Sequence, residues 1–219
     1  MSRPSLRFVI GFVCLCLFLL SFAITITINS TWLYRYAIDK LAILQWTTLS
    51  KEELMHSYHQ LLAFLNFPWV KTLQLADFPM SQSGLSHFVD VKKLFLLNYA
   101  VAIITLIPAG SFLYTNRKNQ QEWQLIRPFQ IASMVPVVFG FLMLFGFDRF
   151  FIQFHQLFFR NADWQFDPTT DPIINVLPEQ FFMYCFILFF LLMEGFFIGG
   201  YFYAKKMFAL RLANPNEKK

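Results

Sequence analysis

Four long apolar stretches divide this chain, and shorter polar segments connect them. The stretches cover residues 8–28, 94–114, 129–147 and 181–203. Each has about the 20 residues that an α-helix needs to cross the ~30 Å hydrocarbon core of a bilayer. The pattern therefore predicts an all-α polytopic membrane protein with four transmembrane helices, one for each of these windows. We expect residues 1–219 to form a single membrane domain.

Two connections between the windows are long enough to build structure of their own. They comprise residues 29–93 and 148–178, and we expect them to form a small extracellular cap. A connection of about 65 residues without elements would be unusual. In the first connection Ser50 precedes Glu53 in capping-box register, and apolar residues then recur at helical spacing. This pattern predicts an amphipathic helix that lies on the bilayer surface or under the rest of the cap.

Composition and charge agree with a membrane protein and give it an orientation. Of 219 residues, 57% are hydrophobic and only 14% are charged, whereas soluble domains have about 25% charged residues. The connection at residues 115–127 and the tail after the fourth window are basic. Because basic loops stay in the cytoplasm, both termini are predicted to be cytoplasmic and the cap to face outward. The net charge of +5 follows from this asymmetry and gives no reason to expect a nucleic-acid partner.

The first window and the cysteines have simple interpretations. The window is longer than the apolar region of a secretory signal and lacks a small-residue cleavage site, so it is expected to remain as an anchor. Cys14, Cys16 and Cys185 all fall inside apolar windows. We therefore expect packing residues and no disulfide framework.

All four histidines lie in the two cap connections. His56 and His59 fall on the polar side of the amphipathic helix, which indicates a solvated face, with a metal pair as the alternative. His87 lies seven residues before the second window and His155 eight residues after the third. If both windows continue as unbroken helices, the two imidazoles stand about 10 to 12 Å above the apolar spans. This shared depth makes His87 and His155 a candidate acid–base pair, with two unrelated interfacial histidines as the alternative.

Other polar residues near this pair are candidate partners. Asp90, one helical turn after His87, is expected either to fix the tautomer of that imidazole or to make a surface contact. Arg160 and Asn161 follow His155 and are suited to hold an oxyanion or a polar headgroup. Arg160 is equally suited to a salt bridge. The acids available to it are Asp163, Asp167 and Asp171.

Glu194 lies near the middle of the fourth window, where a charge costs several kcal/mol unless it is paired or protonated. Gly195 and Gly199 give a small-xxx-small spacing that lets another helix approach. We therefore expect Glu194 to make a buried polar contact between helices more than a catalytic one. Pro108 and Pro136 are expected to bend the second and third windows.

Several common catalytic patterns are missing from the sequence. It contains no G-x-S-x-G, H-E-x-x-H, Walker A or G-x-G-x-x-G motif. Serine hydrolases, zinc proteases and nucleotide-driven reactions therefore lose support. What remains is proton-transfer chemistry without a cofactor on a substrate in the outer leaflet.

Two segments resemble the lipoprotein intramolecular transacylases of Gram-positive bacteria. The first is FPMSQSGLSHFVDVKKLF, with an S-H-x-x-D-V-K core, and the second is FHQLFFRNADWQFDPTTDPIINVLPEQFF. The second segment is too long and idiosyncratic for chance similarity to be a good explanation. The resemblance implies a membrane acyltransferase that moves the sn-2 acyl chain of a diacylglyceryl lipoprotein onto the α-amino group of its N-terminal cysteine. The product is a lyso-form lipoprotein.

The resemblance also assigns residues, partners and location. The catalytic histidines of the family fall on His87 and His155. Neighbouring polar residues become candidates for orienting groups or binding substrate, namely Asp90, Arg160, Asn161, Asp163, Trp164 and Asp171. No cofactor or metal is implied, and the partners are diacylglyceryl-modified lipoprotein and membrane lipid. The implied location is the bacterial cytoplasmic membrane, with the active site at the outer leaflet.

Two other functions stay open at this point. The chain could be a non-catalytic lipoprotein-binding or accessory membrane protein that uses the same pocket. It could also be a metal-dependent lipid hydrolase. The ligands of that hydrolase would be His56, His59, His87 and Asp90, and chelators would stop its activity.

Overall fold

The computed structural model describes residues 5–213, and this part of the chain contains helices and no strand. The helices in chain order are α1 (Leu6–Ile28), α2 (Thr31–Lys40), α3 (Lys51–Asn66), α4 (Gln82–Lys118), α5 (Ile126–Ala132), α6 (Met134–Phe145), α7 (Phe147–Phe158), α8 (Ile173–Val176) and α9 (Glu179–Ala213), with 3-10 turns at Ile43–Trp46 and Glu122–Leu125. Four stretches are long and apolar enough to cross a membrane: α1, α4, α9 and Glu122–Phe145. The predicted all-α membrane fold with four spanning stretches is confirmed.

The predicted amphipathic helix is α3. Its capping box is formed, since Ser50 Oγ accepts the Glu53 N–H at 3.3 Å and Glu53 Oε2 accepts the Ser50 N–H at 2.8 Å. The apolar side of α3 is buried around Leu54, while His56 and His59 on the other side are exposed. The sequence pattern therefore placed this helix and its two faces correctly.

The second window is part of a longer helix than predicted. Helix α4 has 37 residues, more than the about 20 that cross the hydrocarbon. It begins at Gln82, where the Ser81 hydroxyl accepts the Gly84 N–H at 3.0 Å and so caps the first turn. His87 therefore lies in the second turn of a continuous helix.

The third window does not continue as one unbroken helix, so the condition on which the depth estimate for His155 depended is not met. The stretch divides into α5, α6 and α7, with breaks at Ser133 and Gly146. Pro136 has no N–H to donate to the carbonyl of Ala132, which weakens the helix at the first break. Gly146 has φ −174° and ψ 69°, outside the helical region, so α6 ends before it. His155 is therefore carried by a separate short helix, α7.

The structure packs as two compact units. The first comprises residues 5–24, 101–142 and 187–213, and its core is apolar around Leu15, Phe112 and Met193. One buried ion pair lies within this unit, where Arg211 Nη2 donates to Glu122 Oε1 at 2.6 Å. The first unit is thus a packed apolar bundle with a single internal charge pair among its described residues.

Glu194 lies in the first unit without the contact that the sequence suggested. Its Oε2 atom is buried and has no hydrogen-bond partner in residues 5–213. Within the same part of the chain, no atom of a neighbouring element lies within 4 Å of a Cβ placed at Gly195 or Gly199. The expected polar contact between helices is therefore not made by the described residues.

The second unit comprises residues 25–100 and 143–186, which include both cap connections. At its core the rings of Tyr34 and Tyr58 stack with centroids 4.1 Å apart. The Tyr34 hydroxyl donates to the Val176 carbonyl at 2.8 Å, which ties α2 to α8. All four histidines and every candidate site residue belong to this unit.

Candidate active site

His87 and His155 lie side by side, with ring centroids 5.8 Å apart. His87 comes from α4 and is 7% exposed, and His155 comes from α7 and is 9% exposed. Their proximity was expected, but the reason given for it, an unbroken third window, was wrong. The break at Gly146 and the packing of α7 against α4 bring the two imidazoles together.

Aromatic rings surround this histidine pair. The Phe159 ring touches both imidazoles, at 4.7 Å from the centroid of His87 and 5.7 Å from that of His155. Phe166 lies 5.5 Å from His87, and Trp164 lies 4.9 Å from His155. Sequence analysis missed Phe159 and Phe166, because nothing in the sequence distinguishes them from the many other phenylalanines of this chain. Their effect is to keep bulk water away from the two imidazoles.

The hydrogen bond of His155 fixes its tautomer. Its Nδ1 lies 2.8 Å from the carbonyl oxygen of Phe151. A carbonyl oxygen can only accept, so Nδ1 carries the hydrogen and the neutral ring has its lone pair on Nε2. Burial lowers the pKa of His155 below its ordinary value, and the bond to Phe151 opposes this only in part. His155 is therefore a neutral imidazole whose Nε2 can accept a proton.

His87 has no such partner. Its Nδ1 is buried and has no hydrogen-bond partner within residues 5–213. The carboxylate of Asp90 instead accepts from Lys93 Nζ at 2.8 Å and from Asn161 Nδ2 at 3.2 Å. The candidate hydrogen bond between Asp90 and His87 is therefore not formed, because the Asp90 carboxylate is bound by Lys93 and Asn161. The surface-contact alternative describes Asp90 better.

Residues 159–171 form a segment that we call the strap, and its far end is anchored by Asp171. The Asp171 side chain is 2% exposed. Its Oδ1 accepts the Ser81 N–H at 2.8 Å and its Oδ2 accepts the Thr170 hydroxyl at 2.8 Å. A Cβ at Gly84 would lie 2.3 Å from Oδ1, so this approach needs glycine. A carboxylate is favoured here because the helix dipole is positive at the start of α4.

The strap runs along α4 in the opposite direction and contacts it at three levels. Asp171 holds the start of α4, Phe166 packs on His87, and Asn161 binds Asp90. The contacted positions of α4 recur about every three residues and so share one face. His87 thus lies between two polar contacts, and Asp171 anchors the strap without a hydrogen bond to either imidazole.

Asn161 makes three hydrogen bonds in and around the turn that follows Phe159. Its Oδ1 accepts the Asp163 N–H at 3.2 Å, and its main-chain oxygen accepts from Trp164 Nε1 at 3.1 Å. With its Nδ2 donating to Asp90, both ends of the Asn161 amide are engaged. This arrangement holds Trp164 against His155 and leaves the side chain of Asn161 poorly placed to bind an oxyanion.

The Arg160 side chain forms no hydrogen bond or ion pair with the residues that the structure describes, and the Asp163 carboxylate forms none either, since only the Asp163 N–H is bound. Arg160 is exposed. Of the two interpretations of Arg160, the salt bridge to Asp163, Asp167 or Asp171 is therefore not formed. Arg160 instead lines an open depression of about 430 Å³, together with Gln156, Asn161, Trp164 and Gln165.

The histidines of α3 stand apart from this arrangement. His56 Nε2 lies 3.1 Å from Gln60 Nε2, and His59 is exposed one turn away. In the part of the chain that the structure describes, no three His, Cys, Asp or Glu side chains are grouped to hold a metal ion. The metal-dependent hydrolase therefore has no ligand set among these residues.

Comparison with known proteins adds to this geometry. A family model described as lipoprotein intramolecular transacylase Lit matches residues 9–182. The chain is similar to the solved structure of the membrane-integral lipoprotein intramolecular transacylase Lit from Bacillus cereus, with 27% identity, a TM-score of 0.91, and 95% of this chain and 97% of that chain covered. A search of curated proteins found no match.

Two variants of the Bacillus cereus protein were matched as well. In one, a histidine is replaced by arginine, with 27% identity, a TM-score of 0.81 and coverage of 95% and 93% of the two chains. In the other, a histidine is replaced by alanine, with 27% identity, a TM-score of 0.82 and coverage of 95% of each chain.

Proposed function

The chain belongs to the lipoprotein intramolecular transacylase family, and from this premise we propose that it moves the sn-2 acyl chain of a diacylglyceryl-modified lipoprotein onto the α-amino group of that lipoprotein's N-terminal cysteine. The product is a lyso-form lipoprotein that is acylated on nitrogen and has a free glyceryl hydroxyl. The observation that carries this proposal is the buried pair of His87 and His155, with ring centroids 5.8 Å apart.

The bonds that change define what the site must do. The amine nitrogen attacks the acyl carbon, the bond from that carbon to the glyceryl oxygen breaks, and one proton moves from nitrogen to that oxygen. Converting an ester to an amide is downhill, so no nucleotide or acyl carrier is needed. Amine and ester belong to one molecule, and their reaction passes through an eight-membered ring that closes reluctantly, so holding them together is a large part of catalysis.

His155 is the base in this proposal. Its Nδ1 donates to the Phe151 carbonyl, so Nε2 is free to take the proton from the amine as it attacks. The imidazolium passes this proton to His87, and His87 delivers it to the departing glyceryl oxygen. Both imidazoles end neutral, and the leaving oxygen ends as a hydroxyl, so atoms and charge balance.

The aromatic surroundings protect the reaction. Water that reached the acyl carbon in place of the amine would hydrolyse the ester and release a fatty acid. Phe159 packs on both imidazoles, and Phe166 and Trp164 cover one each. These rings exclude water and offer apolar surface to the acyl chains. The basic connections at the opposite ends of the spanning helices support an active site at the outer leaflet of the bacterial cytoplasmic membrane, with both termini cytoplasmic.

The test uses purified protein and a synthetic diacyl lipopeptide whose sn-2 chain alone carries an isotope label. We expect mass spectrometry to find the label on the peptide amine and a free glyceryl hydroxyl. A lipopeptide with an acetylated N-terminus is the control and should stay unchanged. Label released as fatty acid would contradict the proposal in favour of a hydrolase, and unchanged lipopeptide would favour a non-catalytic binding or accessory protein.

A further inference from the structure

Arg160 is held on a fixed stretch of backbone beside the histidine pair. On one side of it, Phe159 is 7% exposed and packs on both imidazoles. On the other side, Asn161 is tied to Asp90 across the strap. Because both neighbours are anchored, the position of Arg160 is set by the same contacts that position the histidines.

Arg160 lines a depression with several polar neighbours. Ion pairs in the described part of the chain use other cations, and no carboxylate there neutralises Arg160. The depression, of about 430 Å³, is also lined by the amide residues Gln156, Asn161 and Gln165, and its apolar part by Phe159, Ala162 and Trp164. Its wall includes the ring of Trp164, which contacts His155 with centroids 4.9 Å apart. Amides and a guanidinium suit hydrogen-bond acceptors and are a poor surface for acyl chains.

The chemistry of the substrate requires a polar path at this place. In the proposed reaction the amine of the N-terminal cysteine lies at the histidine pair. The carbonyl of the same residue is only two bonds away, and the next Cα lies about 3.8 Å from the first. The peptide must therefore leave the histidine pair through an adjoining space that accepts a polar backbone.

We propose that the depression binds the peptide segment that follows the acylated cysteine, and that Arg160 makes lipoproteins with an acidic residue in that segment the preferred substrates. A guanidinium presents several donors in a planar fork that fits a carboxylate or two carbonyl oxygens. This assignment rests on the proposed function and adds to it a preference among substrates.

The test compares lipopeptides that differ only in one residue, Asp or Lys, placed at the second, third or fourth position. We expect the wild-type KM for the Asp peptides to be about threefold to tenfold lower, and Arg160→Glu to reverse this preference with little change in kcat. Arg149→Glu is the matched control, since Arg149 is an exposed arginine on α7 that does not line the depression. It should keep the wild-type preference.

A second experiment distinguishes the charge of the peptide from the charge of the lipid. It also distinguishes peptide binding from catalysis. Binding of the same lipopeptides to His155→Ala protein is measured in vesicles of zwitterionic lipid and in vesicles with anionic lipid. The peptide preference should persist in both. No difference between Asp and Lys peptides, or an effect of Arg160→Glu that follows lipid charge alone, would overturn the peptide subsite. Charge-dependent binding without turnover in wild-type protein would overturn the proposed function and leave the subsite supported.

Discussion

The two pairs of histidines in the second unit have opposite surroundings. His56 and His59 are three residues apart on α3, and both are exposed. His87 and His155 come from α4 and α7, and both are buried. One pair is close because of helical spacing alone, and the other is close because the chain folds back on itself.

The difference explains why the proposed reaction uses the buried pair of histidines. In α3 the imidazoles are exposed to solvent and lie outside the aromatic surroundings of the buried pair. At the buried pair, Phe151 fixes which nitrogen of His155 carries hydrogen, and aromatic rings exclude water. A general base needs a fixed tautomer and a site that excludes water. A second histidine close by in the sequence supplies neither.

The largest effect should separate the two pairs directly. We expect His155→Ala to lower the rate of lipopeptide conversion at least about 100-fold, since general acid–base catalysis contributes about 10² to 10⁴. His59→Ala should leave the rate within about twofold, because the side chain is exposed and outside the site. The rates are measured by mass spectrometry, using variants whose thermal unfolding midpoint equals that of the wild-type protein. Similar losses in both variants would remove the distinction between the pairs.

A smaller loss should follow when the strap is displaced without touching either histidine. Gly84→Ala places a Cβ 2.3 Å from Asp171 Oδ1, so the strap must shift and we expect about a tenfold lower rate. Adding Gly84→Ala to Asp171→Ala should cost little more, because the clash is then gone. Gly195→Ala is the control, since open space surrounds that position in the described chain. Full activity in Gly84→Ala would show that the strap does not position His87.

The pH at which His155 takes up a proton should report its burial. Burial lowers the pKa of His155, so its neutral form persists as the pH falls through 6.5, the ordinary value for histidine. NMR titration of the imidazole should therefore give a midpoint below that value. Trp164→Ala admits water and should move the midpoint upward. A midpoint at or above the ordinary value in wild-type protein would contradict the account of a buried base.

The smallest effect is expected at the exposed tie between Asp90 and Asn161. Asp90→Asn weakens the 3.2 Å contact to Asn161, and exposed polar pairs contribute at most about 1 kcal/mol, or about fivefold in rate. Asp39→Asn removes a comparable surface pair with Lys51 elsewhere in the same unit and should leave the rate unchanged. A loss as large as that of His155→Ala would mean that Asp90 acts on His87 directly.

Local patterns predicted the elements of this molecule well. The four apolar windows and the capping box at Ser50 and Glu53 depend only on neighbouring residues, and both are present in the structure. The amphipathic pattern also placed His56 and His59 on the exposed side of α3. Features set by the 3.6-residue period or by membrane thickness are readable from sequence because their physics is local.

Contacts between distant segments were predicted less well. The break at Gly146 was missed because a run of apolar residues does not show where a helix is interrupted. The candidate Asp90–His87 hydrogen bond and Arg160 salt bridges each paired a residue with a complementary group that is close in sequence. The strap instead sends Asn161 to Asp90 and Asp171 to Ser81. Such pairings have no sequence period, so only the folded chain reveals them.

The central claim is that His87 and His155 act as one proton-transfer unit, and a double-mutant cycle tests it most directly. Single-turnover conversion of labelled lipopeptide is measured by mass spectrometry for wild-type protein, His87→Ala, His155→Ala and the double variant. Residues that act as a unit are not additive, so each single variant should lose amine-acylated product at least about 100-fold and the double variant should be no more than about threefold slower again. Undiminished product in either single variant, or losses that multiply in the double variant, would contradict the claim.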